Sequence, residues 1–238
     1  MVLAQVKVDK KSNEITAIPQ LLKALAISGC IVTIDAMGCQ KKIAKQIVDQ
    51  EADYVLALKE NQGGLYKAVE DLFDYARETA FADADYHKTI NKDHGRIEIR
   101  ECWTISTPDY LAFLPKRSAW PGLQTIVMVK SERRLEHKTS VKVRYYISSL
   151  ADGARQHLNA IRSHWGIENQ VHWVLDVAFR EDDCRIRKEN GPQNFAILRH
   201  IALNLLKQEK TAKCGIKAKR LKAGWDQDYL LKVLSGLF

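Results

Sequence analysis

The chain has 238 residues, 46% of them hydrophobic and only five proline, which is enough apolar content for a folded core and excludes a mainly disordered polypeptide. No apolar run reaches the roughly 18 residues of a membrane span, Met1 to Val8 lacks a signal-peptide pattern, and five cysteines without a CxxC spacing argue against a disulfide framework or zinc module; the expectation is a reduced, cytoplasmic protein with no membrane association. Lys and Arg exceed Asp and Glu by 37 to 29, and the resulting charge of +8 favours a polyanionic partner.

Val2 to Val8 alternates apolar and polar residues like a strand, residues 9–13 read as a turn, and Ser12 or Asn13 is placed to cap a helix carrying Ile15, Ile18, Leu21 and Leu22. Cys30 to Ile34 is a short β-branched run of the buried parallel-strand kind and ends at Asp35. A helix over about Gln40 to Gln50 comes next, then a strand over Asp53 to Leu58 that ends at Lys59-Glu60-Asn61-Gln62. Strand, helix, strand, helix, strand is the order of an α/β layer, and ligands gather at the carboxyl ends of such strands. Asp35 is therefore read as a functional carboxylate, with a turn or cap residue as the alternative.

A helix over about Gly64 to Thr79 leads into a change of character. Arg96 to Ile105, Gln124 to Val129 and Lys142 to Ile147 read as strands separated by polar turns, so residues 86–149 look like an antiparallel meander inserted into the α/β unit. Residues 1–80 and 150–206 would then be a split core. A single helix is expected from about Gln156 to Leu175, with Ile161, His164, Trp165, Glu168, His172 and Leu175 on one stripe. A carboxylate there is costly to bury unless a divalent cation or an Arg pairs with it, and an exposed Glu168 paired with His164 or His172 is the alternative. Pro192 opens a further helix that runs to Leu206, and residues 207–238 form a basic C-terminal segment. Between Lys207 and Lys222 the cations Lys207, Lys210, Lys213, Lys217, Lys219, Arg220 and Lys222 face Glu209 alone, a balance that attracts phosphates.

With those pieces placed, the sequence resembles the DDE-type insertion-sequence transposases of bacteria, in their H-repeat-associated branch. The resemblance rests on Ile34-Asp35-Ala36-Met37-Gly38-Cys39-Gln40, on Tyr54 to Gln62, on His94-Gly95-Arg96-Ile97-Glu98, on His164-Trp165-Gly166-Ile167-Glu168-Asn169 through Arg187, and on Lys217 to Trp225. It implies a fold class of α/β with an RNase H-like core in which three carboxylates hold two divalent ions, Mg²⁺ or Mn²⁺, with no small-molecule cofactor. The second aspartate of the family falls on Asp35 and its glutamate on Glu168, which makes these two the expected catalytic and metal-binding residues. The expected partners are double-stranded DNA at insertion-sequence ends and a second copy of the chain. Candidate DNA contacts are Lys59, Asn61, Arg96, Arg162, His164, Lys217, Lys219 and Arg220. Related transposases carry an Arg one turn before the glutamate and a Lys about two turns after it; His164 and Leu175 stand there, with Arg162 as a nearby substitute. The strand that bears the family's first aspartate has no counterpart, so the core is expected to be partial, the chain truncated, and cleavage impaired. Three other readings stand beside this one: a DNA-binding remnant that modulates intact transposases, a small-molecule α/β enzyme, which would want a Gly-rich phosphate loop, and a zinc site from His157, His164, His172 and Cys184.

Overall fold

The computed structural model describes all residues except 7, 9–13, 94, 152 and 238, together with the side chain of residue 237. The turn and cap expected at residues 9–13, and His94 of the resemblance, lie outside the described residues. The chain divides into two compact units, Val8–His164, and Met1–Lys7 with Trp165–Phe238.

The first unit is built on one six-stranded sheet. β1 (Ile31–Ile34) and β2 (Asp53–Ala57) are parallel, whereas β3 (Asp85–Asp93), β4 (Arg96–Ile105), β5 (Thr125–Leu135) and β6 (Lys138–Ser148) form an antiparallel meander. Because β6 pairs antiparallel with β2, the spatial order is β1-β2-β6-β5-β4-β3 and the meander continues the same sheet. The helices are α1 (Glu14–Lys23), α2 (Lys41–Asp49), α3 (Gly63–Glu78), α4 (Pro108–Ala112) and α5 (Ala154–Ile167), which belongs to this unit as far as His164.

Side chains alternate across the sheet, so each strand feeds two cores. Tyr54, Leu56, Ile126, Met128 and Ile147 pack with Ile43, Ile47 and Phe73 of α2 and α3. Val55, Val127, Val129 and Tyr146 pack with Ala154, Leu158 and Ile161 of α5 on the other face. Burial on both faces is why β2 reads as a continuous apolar run. The fully buried Phe73 ring stacks on Tyr145 with centroids 5.9 Å apart, and Phe73→Ala is expected to cost about 3–5 kcal/mol of unfolding free energy in denaturant melts. A loss under about 1 kcal/mol would remove α3 from the core.

The second unit is helical. A π-helical turn over Glu168–His172 leads into α6 (Trp173–Phe179), and α7 (Gly191–Gln208), α8 (Ile216–Trp225) and α9 (Gln227–Leu234) complete it. The single helix expected from Gln156 to Leu175 is thus interrupted. The wider hydrogen-bond ring of the π turn inserts a residue and rotates the later side chains by about 100°. The expected stripe is broken as a result: Val171 and Leu175 are buried with Leu203, whereas Glu168 and His172 are exposed. The strand expected over Val2 to Val8 is also not formed among the described residues. The Asn204 side chain on α7 takes the place of a neighbouring strand: its Oδ1 accepts the Val2 N–H at 2.8 Å and its Nδ2 donates to the Val2 carbonyl at 2.7 Å.

Candidate functional site

Asp35 lies just past the last residue of β1 and starts a 3₁₀ turn, Ala36–Gly38. Its Oδ1 accepts the Met37 N–H at 3.1 Å, so the capping alternative describes one of its two oxygens. Gly38 is required by packing here, since a Cβ at that position would lie 2.3 Å from Ile34 Cγ2 and 2.9 Å from Ile18 Cδ1. The parallel neighbour β2 brings Lys59 and Asn61 to the same end of the sheet, on a second 3₁₀ turn over Glu60–Gln62. The Asn61 amide donates to the Ala36 carbonyl, and Gln62 Nε2 donates to the Cys39 carbonyl at 2.9 Å. These bonds fasten the two strand-end turns together and leave Asp35 and Lys59 exposed.

The structure also ties α5 to this strand, because His164 Nδ1 lies 3.2 Å from the Thr33 hydroxyl, two residues before Asp35. His164 is thus engaged with β1, and Arg162 is exposed on the same helix. Arg96 begins β4, where its Nε lies 3.3 Å from Glu98 Oε1. In the other unit, Glu168 opens the π turn and is exposed, and Lys207 donates to the carbonyl of Gln170 within that turn at 2.6 Å.

The basic C-terminal segment is less available to phosphates than its composition implies. Lys219 is 6% exposed: its ammonium donates to the carbonyls of Leu206, at 3.1 Å, and of Glu209, and lies 3.4 Å from Glu209 Oε2. The expectation of a DNA contact at Lys219 is corrected accordingly, because its donors close the end of α7. Lys207 is likewise occupied at Gln170, and burial is the main cause lowering its pKa from the ordinary lysine value. Lys222 places its ammonium 4.6 Å from the centre of the Tyr229 ring, and Arg220 lies 5.7 Å from that of Phe179. Lys210, Lys213 and Lys217 remain exposed. Nothing in the helical spacing distinguishes Lys219 from Lys217; a buried acceptor such as Glu209, ten positions earlier, is the only signal available.

Asp35 and Glu168 offer hard oxygen donors of the kind Mg²⁺ prefers, and the Asn61 side-chain carbonyl is a third oxygen beside the Asp35 turn. Among the described residues, no group of three or more His, Cys, Asp or Glu side chains is placed to hold a metal ion. The chemistry of the donors themselves fits a divalent cation. His157 of the zinc alternative is buried with Nδ1 3.1 Å from the Gly153 carbonyl, and His164 is at Thr33. No described helix is long and apolar enough to cross a membrane.

Comparison with known proteins meets this geometry. The family described as Transposase DDE domain matches residues 1–205. The protein YbfL of Escherichia coli (strain K12) is 45% identical over 240 residues, covering 99% of this chain and 63% of YbfL. The "H repeat-associated putative transposase YhhI" of the same strain is 44% identical, again over 99% of this chain and 63% of the relative. The chain spans about 63% of the length of these relatives. Enzymes of this kind use divalent metal ions. With a family match over most of its length and relatives of this similarity, the chain belongs to the DDE transposases, in their H repeat-associated branch.

Proposed function

We propose that the chain acts in DNA transposition at insertion-sequence ends in the bacterial cytoplasm, with Asp35 and Glu168 as two of the carboxylates that hold Mg²⁺ or Mn²⁺ in an RNase H-like core. The observation that carries this reading is the position of Asp35: it lies at the carboxyl end of β1, beside Lys59 and Asn61 at the same end of the parallel neighbour β2. When bound, a pair of such cations activates the attacking oxygen and stabilises the leaving oxygen of an in-line phosphodiester displacement. The chain's own groups orient the substrate. Lys59 and Asn61 sit beside the Asp35 turn to receive a phosphate, and Arg96, Arg162, His164, Lys217 and Arg220 are further phosphate contacts. In this reading residues 1–80 and 150–206 are the core, 86–149 an insertion and 207–238 a basic segment, and two copies pair on the DNA.

A second reading is a DNA-binding polypeptide that does not cut. The chain's net charge of +8 favours it, since attraction to phosphates needs no metal site. Fluorescence anisotropy against a labelled duplex across salt, and then incubation with Mn²⁺ and analysis for nicks, separates the two. Both readings expect affinity that falls steeply with salt, and only the first expects nicks that disappear in Asp35→Asn. Affinity independent of salt would sink both.

A further inference from the structure

The outer half of the sheet has two different faces, and the strand register assigns each residue to one of them. Cys102 and Val129 point towards α5. His87 and Arg144 lie opposite them in the same row. Stepping outward by two residues on each strand gives Thr89, Arg100, Ser131 and Lys142 in the next row, then Asn91, Glu98, Arg133 and Ser140, and finally Asp93, Arg96, Leu135 and Lys138. The α5 face therefore carries Arg96, Arg100, Arg133, Lys138, Lys142 and Arg144 against Asp93 and Glu98, and none of the six cations is buried. The opposite face carries Ile90, Ile97, Ile99, Val141 and Val143 among its charges.

Glu98 organises part of the cationic face. It accepts from Arg100 and pairs with Arg96, and Arg133 stands across from it on β5. Burial pushes its carboxyl pKa up, but the Arg100 hydrogen bond and the charges of Arg100, Arg96 and Arg133 lower it more. Glu98 thus pairs with two guanidinium groups and faces the charge of a third, so the patch keeps a net positive charge.

We propose that this face, beyond the cover of α5, docks the phosphate backbone of double-stranded DNA. The proposal rests on the reading of the chain as a DNA-binding transposase and adds a surface that this reading does not contain beyond Arg96. Spacing supports it. Neighbouring strands lie about 4.8 Å apart and alternate residues along a strand about 6.8 Å, a grid comparable to backbone charges that rise about 3.4 Å per nucleotide on each strand. Duplex is favoured over single-stranded DNA because these three outer rows hold no Trp, Tyr or Phe on which an unpaired base would stack.

The test compares two triple variants of the full chain that remove the same charge from opposite faces. Arg100→Gln, Arg133→Gln and Lys142→Gln together should reduce the slope of log affinity against log salt by about 2.7 for a labelled duplex, at about 0.9 per contact. Lys88→Gln, Lys130→Gln and Arg134→Gln together should leave that slope unchanged. Equal effects from the two triples would overturn the docking face while the transposase reading stood, and a wild-type chain that binds no duplex would overturn both. Should the first triple fail to fold by circular dichroism, Glu98→Gln decides the matter. It removes the anion and should tighten duplex binding several-fold, with less effect on a single strand of equal length; unchanged or weaker duplex binding would overturn the proposal.

Discussion

Asp35→Asn and Glu168→Gln are each expected to weaken Mn²⁺ binding by the full chain at least about tenfold, and to lower any metal-dependent nicking of duplex DNA by about two orders of magnitude. Each change removes one negative charge and keeps the shape of the side chain. At Asp35 the Oδ1 that accepts the Met37 N–H persists in asparagine, so the 3₁₀ turn keeps its cap and the fold is not the variable being tested. At the exposed Glu168 no buried partner is lost either. The double variant carries the sharper information. Two carboxylates that hold the same ion act as a unit, so the double variant should be little worse than either single one. Losses in metal affinity that add in full would mean that Asp35 and Glu168 belong to separate sites.

Lys219→Ala should lower the melting temperature by about 6–12 °C, while Lys217→Ala on the same helix should leave it within about 1 °C. The two lysines differ in what they touch. Glu209 Oε1 accepts from the Thr211 N–H at 2.6 Å and from the Thr211 hydroxyl, and Oε2 accepts the Tyr229 hydroxyl at 2.8 Å. The Lys219 ammonium balances that buried carboxylate and satisfies two carbonyls at the end of α7. Removing it leaves an anion without its cation. The same network has a pH signature. Hydrogen bonds, the one from the Thr211 hydroxyl foremost, hold the Glu209 carboxyl at about 2 against an ordinary 4.5, with burial opposing them. A depressed carboxylate contributes stability that is present in full above its ordinary value and lost as pH falls from there towards about 2. Acid unfolding of the wild type should therefore steepen below pH 4.5, and Lys219→Ala should move that transition upward. A Lys219→Ala protein that melts like wild type would show that the network contributes nothing.

Legibility in the sequence depends on where burial is symmetric. β2 is buried on both faces and the edge strand β1 is half-buried along its length, so their apolar runs announce them, and the strand-end placement of Asp35, Lys59 and Asn61 comes with the run. β3 is the opposite case: Asp85 to Asp93 is polar, and its strand conformation is imposed from outside by pairing with β4, where Ile90 meets Ile99 and Tyr86 meets Trp103. The outer parts of β5 and β6 extend beyond the expected strands for the same reason: their side chains are exposed or half-buried, and pairing with each other rather than an apolar pattern sets them. The π turn is invisible in composition because a shift of hydrogen-bond register leaves no trace there. The burial of Lys219 is equally hidden, because charge counting along a helix does not see the fold of the segment before it.

The clasp between Val2 and Asn204 spans 202 positions, and that separation sets an order of events during synthesis. Val8–His164 contains all its own strand partners and can close as soon as it has emerged. The first residues belong to the other unit and must wait for α7. At about 5–20 residues per second, roughly 10–40 s separate the synthesis of Val2 from that of Asn204. The two Val2–Asn204 hydrogen bonds are therefore among the last contacts of the fold to form, after the sheet of the other unit has had time to close.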